Sequence, residues 1–197
     1  MKKSILWIIG LLFSASLAIT SCSETDGVPD PYTNWVERNQ AYIDSIAQVA
    51  YVNKGEEVGQ WKTIHSYKFT PPTGSLEVDV NDYVYCKILE KGDGATPLFT
   101  DVVSMNYRGQ LIPLYNGETV VFDQNYRGEL NEDVVVPVDF QVNGVIPGWT
   151  TALQHMKEGD RWLVVIPEGL AYGNTSTGSI PVHSTLVFDM QLVKVKK

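Results

Sequence analysis

The sequence predicts an α+β fold: an antiparallel sheet, a half-barrel, wrapped around one short helix, with a further helix in an N-terminal extension. Three observations lead there. Four segments between Tyr83 and Val195 alternate or run apolar, and Gly, Pro and Asp bound them, as strands require. Among them, Trp149 to Met156 has helical spacing, opens after Gly148 and stops before Gly159. A second helical pattern lies upstream, from Thr33 to about Tyr51.

The chain opens with Lys2 and Lys3, an apolar run from Ile5 to Ile19, and then Thr20-Ser21-Cys22. A membrane span needs roughly 20 apolar residues, and this run is shorter. A basic start, a short apolar stretch and small residues before the cut predict a secretory signal peptide over residues 1–21. Cysteine directly after Ile-Thr-Ser resembles a bacterial lipobox, which implies acylation of Cys22 and a membrane anchor. An ordinary signal peptide with an incidental cysteine is the alternative. Ser23 to Pro31 is polar, acidic and broken by Gly and Pro, so residues 22–32 read as a tether. Glu24 and Asp26 resemble the acidic export signals of some bacterial surface lipoproteins.

Residues 33–82 form the extension. Tyr42, Ile43, Ile46, Ala47, Val49 and Ala50 fall at helical spacing, with Thr33 as a candidate cap and Gly55 past the end. Such a helix either packs on its own domain or serves as a dimerisation arm, and the first reading is preferred, with a monomer expected. Trp61 to Val80 reads as irregular around Pro71-Pro72-Thr73-Gly74, with a strand near Thr63 to Phe69.

The main domain is expected over residues 83–197. Its strands are Tyr83 to Leu89, Val102 to Leu111, Arg161 to Ile166 and Thr185 to Val195. In the last, Leu186, Phe188, Met190 and Leu192 share one face, while Asp189 and Gln191 take the other. Cys86 alternates with Val84 and Ile88, the pattern of a buried structural thiol.

Composition narrows the function. With 44% hydrophobic and 19% charged residues, the 197-residue chain is a folded domain plus an extension. A net charge of −8 excludes nucleic acid as a partner, because phosphate binding needs a basic face. His65, His155 and His183 are scattered, so no metal site is expected, and no serine sits in a nucleophile elbow.

The informative residues are instead apolar and aromatic. Gly92-Asp93-Gly94 and Asp101 come first, then Tyr107-Arg108-Gly109-Gln110-Leu111 and Phe122-Asp123. Val145-Ile146-Pro147-Gly148-Trp149, Met156, Gly159, Ile166-Pro167 and Leu170-Ala171-Tyr172-Gly173 continue the series, and Ile180-Pro181 and Leu186-Val187-Phe188 close it. In this order they resemble the FKBP-type peptidyl-prolyl isomerases. The resemblance implies that family's fold and a proline pocket that needs no cofactor.

It also implies roles. Trp149 would floor the pocket under a proline ring, with Val145 and Ile180 among its walls. The Ile146 N–H and the Tyr172 hydroxyl would each donate to a substrate carbonyl. Tyr107, Phe122 and Phe188 would clasp the oxygen of the rotating bond, and Asp123 would orient Tyr107. Val138 stands where relatives often place an aromatic wall, and Ser179 replaces an apolar residue. The turn Asn174 to Ser179 is short and lacks the relatives' histidine, while Ile112–Val121 and Tyr126–Val136 are longer than usual. The reading that follows is a membrane-anchored prolyl isomerase acting on proline-containing exported polypeptides, at the outer membrane. A proline-binding module or holdase chaperone with little turnover is the alternative.

Overall fold

The computed structural model of the protein describes residues 29–69 and 79–197. The expected signal peptide, Cys22 and the Pro71-Pro72-Thr73-Gly74 stretch lie outside the described residues. The elements run α1 (Trp35–Val52), β1 (Trp61–His65), β2 (Tyr83–Glu90), β3 (Val102–Leu111), β4 (Val121–Gln124), β5 (Val138–Gln141), α2 (Pro147–Leu153), β6 (Arg161–Ile166) and β7 (Leu186–Lys196). The strands form one antiparallel sheet in the order β1-β2-β6-β7-β3-β4, and β5 also pairs with β3.

The spine of the sheet is the long pairing of β3 with β7, from Val102 opposite Lys196 to Leu111 opposite Leu186. As the period of two predicts, Leu186, Phe188, Met190 and Leu192 are all buried on one face. On the other face Asp189 takes the Arg161 guanidinium on both carboxylate oxygens, at 2.9 and 2.7 Å. That pairing holds Arg161 above its ordinary pKa.

Helix α2 lies in the concavity, and every residue from Gly148 to Leu153 is buried. Its glycine answers to packing. A Cβ at Gly148 would sit 2.3 Å from Ile166 Cγ2, so only a bare backbone lets the helix come this close to β6. The helix is shorter than the sequence predicts. The Thr151 hydroxyl bonds back to the Pro147 carbonyl at 2.8 Å, and Met156 belongs to the following turn, its N–H on the Ala152 carbonyl at 3.1 Å.

The extension is built into this sheet. Strand β1 pairs with β2, and Trp61 and Ile64 enter the common core. Helix α1 packs on the same core through Trp35, Ile43 and Ala50. Thr33 does not cap it: its hydroxyl bonds the Asp30 carbonyl at 2.7 Å, and Asn34 precedes the helix in a left-handed conformation, φ 52°. The strand predicted at Thr63–Phe69 is displaced to Trp61–His65, and Ser66, still in register opposite Asp82, closes it. The Ser66 N–H bonds Asp82 O at 2.9 Å and its hydroxyl meets Thr151 Oγ1 at 3.2 Å, so a turn follows.

Cys86 is fully buried on β2, and burial pushes its thiol up, as suits an inert packing residue. Strands β4 and β5 are additions to the sequence reading. Both pair with the same edge of β3, and the long segment Tyr126–Val136 loops out between them. Tyr126 is buried there, and Gln191 Nε2 on β7 donates to Glu132 Oε1 at 2.6 Å, which pins the loop to the sheet.

Candidate active site

A cavity of about 580 Å³ opens between the N-terminal end of α2, strands β3, β4 and β7, and the loop after Tyr172. Trp149 forms its floor because it sits in the first turn of α2, which Pro147 opens with a preset backbone angle. Three rings meet the Trp149 indole edge to face: Tyr107 at 5.4 Å, Phe140 at 5.3 Å and Phe188 at 5.2 Å between centroids. Phe122 extends the cluster onto Phe188 at 5.4 Å. The Trp149 indole N–H is buried without a described partner.

Gly109 makes the aromatic wall possible. It lies on β3 between Asp123 of β4 and Phe188 of β7. A Cβ there would fall 2.6 Å from both the Phe122 and Phe188 rings. Only the missing side chain leaves room for both.

At the edge of the cavity the Tyr107 hydroxyl donates to Asp123 Oδ2 at 2.9 Å. Burial, then the hydrogen bond and charge of Asp123, push the Tyr107 phenol up to about 12. The phenol therefore stays neutral and able to donate throughout the physiological range. Because its folded pKa lies above the unfolded value, its contribution to stability is complete below about pH 10 and is lost as pH rises towards about 12. Denaturant unfolding at about pH 9 and pH 11 is expected to show this decline, and Tyr107→Phe to flatten part of it. An equal decline in the variant would remove Tyr107 as its source.

The far wall is the loop from Tyr172 to Ile180. Thr177 and Ile180 exchange backbone bonds at 3.1 and 2.9 Å, a tight turn with Gly178 and Ser179 at its tip. Gly178 holds φ 57°, and both it and Ser179 face the cavity. Tyr172, 38% exposed, stands at the mouth. Ile146 is the last extended residue before α2, and its carbonyl accepts from Trp149 N at 2.9 Å.

The fold thus brings Tyr107, Phe122, Asp123, Val145, Ile146, Trp149, Tyr172, Ile180 and Phe188 to one cavity. Val138 is not among the lining residues; it is 38% exposed on β5, and Phe140 two residues on takes the wall. Alternation along β5 puts both on one face, and that period of two was the signal for Phe140. Thr177, Gly178 and Gly144 also line the cavity without having been foreseen. Small turn residues carry no distinguishing signal in a sequence. Among the described residues no group of His, Cys, Asp and Glu is placed to hold a metal.

The profile of the FKBP-type peptidyl-prolyl cis-trans isomerase family matches residues 94–193, half of the chain. The chain belongs to this family. Over 111 residues it is 43% identical to the FKBP-type peptidyl-prolyl cis-trans isomerase FkpA of Escherichia coli (strain K12), a match covering 56% of this chain and 37% of that protein. The FKBP-type 22 kDa peptidyl-prolyl cis-trans isomerase of the same strain is 43% identical over 111 residues, 55% of this chain and 48% of the relative. Outer membrane protein MIP of Legionella longbeachae is 43% identical over 112 residues, 56% and 43% of the two chains. The matched part spans less than half of each of these relatives.

Solved structures agree on the fold. The crystal structure of FkpA from Escherichia coli superposes with a TM-score of 0.55 at 32% identity, covering 83% of this chain and 62% of that one. A peptidyl-prolyl cis-trans isomerase from Pseudomonas syringae gives 0.55 at 25% identity, covering 87% and 100%. The matched residues 94–193 run from the turn before β3 into β7.

Proposed function

We propose that this chain is a peptidyl-prolyl cis-trans isomerase of exported proteins, working by non-covalent catalysis in the Trp149 pocket. The single observation that supports this best is the packing of Tyr107, Phe140 and Phe188 edge to face on Trp149, with the Tyr107–Asp123 bond at the edge of the cavity. No reactive group is required, because the reaction breaks no covalent bond. Amide resonance sets a rotation barrier of about 18–20 kcal/mol. The uncatalysed exchange takes roughly tens to hundreds of seconds. A turnover on the order of 10 per second needs only about 3–4 kcal/mol of transition-state stabilisation.

The planar amide is more dipolar than the twisted one, so an apolar aromatic site disfavours the ground state. Trp149 would seat the proline ring. Tyr107, Phe122 and Phe188 would surround the rotating carbonyl oxygen, with Asp123 fixing the Tyr107 hydroxyl. Donation from the Ile146 N–H and the Tyr172 hydroxyl would hold the flanking backbone in a turn that suits the twisted form. Val145 and Ile180 complete the apolar wall.

Isomerisation of an X-Pro tetrapeptide by residues 22–197, carrying Cys22→Ser, tests this reading. Tyr172→Phe removes one neutral hydrogen bond and is expected to lower kcat/KM by about three- to tenfold. Asp123→Val leaves the Tyr107 phenol unpaired and is expected to cost about tenfold. A folded protein without acceleration would overturn the enzyme reading and leave a proline-binding module or holdase. Exposed Val134 and Val136 on the long β4–β5 connection are the observation in favour of that second reading.

We further propose that Cys22 is acylated and holds the chain on the outer membrane, consistent with a relative named as an outer membrane protein. Labelled fatty acid is expected on the wild type and absent from Cys22→Ala. An unlabelled wild type would sink the anchor and leave the pocket untouched.

A further inference from the structure

Helix α1 belongs to the extension, yet it reaches the base of the loop that forms the far wall of the pocket. The loop that supplies Tyr172, Thr177, Gly178, Ser179 and Ile180 to the cavity has two feet. They are tied to each other, with His183 N on Gly173 O at 2.8 Å and His183 Nδ1 against Glu168 Oε2 at 2.6 Å. Beyond that, the second foot is held from α1. Asn39 Oδ1 accepts from Thr185 N at 2.8 Å, and Trp35 Nε1 donates to Ser184 Oγ at 3.1 Å. The same serine hydroxyl donates to Pro181 O at 2.7 Å, next to Ile180.

Asn39 is well suited to such a role. It is buried, and its amide is used at both ends: Nδ2 donates to Trp35 O at 2.7 Å while Oδ1 takes the loop. A buried amide in mid-helix is poor for propensity and packing alone, so its value lies in the backbone group it satisfies. Ser184 and Thr185 are buried with it. The first foot is held from the extension too, where Lys68 Nζ donates to Gly169 O at 2.9 Å.

We propose that the N-terminal extension is a brace for the isomerase pocket, with Asn39 as a positioning residue that sets the 172–185 loop through Thr185 and so places Tyr172 and Ile180. This rests on the isomerase reading above. It makes the extension a determinant of activity, beyond a spacer between anchor and domain. Neither Asn39 nor Trp35 touches the cavity.

The full chain, assayed well below its unfolding temperature, tests the brace with Asn39→Ala and Asn39→Asp. Asn39→Ala orphans the Thr185 N–H; kcat/KM for an X-Pro tetrapeptide is expected to fall about tenfold, carried by KM. Amide exchange at Gly173–Ser184 is expected to quicken while the β3–β7 ladder keeps its protection. Asn39→Asp retains the acceptor for the Thr185 N–H but sets a second acceptor oxygen against the Trp35 carbonyl, and is expected to restore only part of both. Trp35→Phe deletes the Ser184 bond, together with part of the indole's packing on Tyr32 and Arg38, and gives a second reading. Unchanged kcat/KM and exchange in a folded Asn39→Ala protein would overturn the brace. So would exchange quickened evenly over the whole domain, which marks general destabilisation. A wild type without isomerase activity sinks the functional reading alone, and loop exchange then decides the brace by itself.

Discussion

Trp149→Ala is expected to lower kcat/KM towards an X-Pro peptide by about a hundredfold and to destabilise the fold by about 3–5 kcal/mol. The indole is buried and meets Tyr107, Phe140 and Phe188 edge to face, so its removal empties the floor and strips three rings of a partner. Each such aromatic contact is worth about 0.5–1.5 kcal/mol beyond the area it buries. The functional loss follows from the small energy that the reaction needs. Where catalysis asks for only about 3–4 kcal/mol, a Trp149 floor that seats the proline ring as proposed would supply most of it. Thermal unfolding and peptide isomerisation on the same preparation check both numbers. Activity at wild-type level in a folded Trp149→Ala protein would mean that the chemistry takes place elsewhere.

The second large effect is expected at a residue with no side chain. Gly109→Val should lower kcat/KM by about ten- to a hundredfold, with a stability loss of about 1–3 kcal/mol. The first carbon added would already lie 2.6 Å from Phe122 Cε2 and Phe188 Cε1. These rings sit on β4 and β7, on either side of β3, so neither can yield without moving the other through their 5.4 Å contact. Asp123 is directly opposite Gly109 on β4, and the Tyr107–Asp123 bond should shift with the strand. Gly109→Ala is the graded control and should fall between wild type and Val. Two substitutions without effect on activity would show that the Phe122–Phe188 wall does not contribute to the transition state.

The two substitutions probe different layers of one design. Trp149 is held by the close approach of α2 to β6 that Gly148 allows, and Phe122 and Phe188 by the space that Gly109 leaves. Pocket shape in this fold therefore depends on glycines as much as on aromatics. An apolar pocket with few polar groups binds by fit, so displacements of a few tenths of an ångström carry through to rate.

The resemblance to the FKBP-type family supplied nine of the residues around the cavity, and the sequence by itself determined the strands β2, β3, β6 and β7 and the short helix beneath them. These are legible because they rest on local chemistry: a period of two along β7, Pro147 and Gly148 at a helix start, and aromatic residues in a set order. What only the tertiary structure decided is non-local or weakly marked. Strands β4 and β5 are four residues each, too short for periodicity to separate them from loop, and their register comes from the edge of β3. Phe140 replaced Val138 in the pocket wall because depth along β5, which alternation does not encode, decides which of two same-face residues reaches the cavity. The clasp of Asn39 on Thr185 joins residues 146 positions apart. A hydrogen bond across that distance leaves no trace in either segment's composition, because it exists only once both helix and loop are packed on the same sheet.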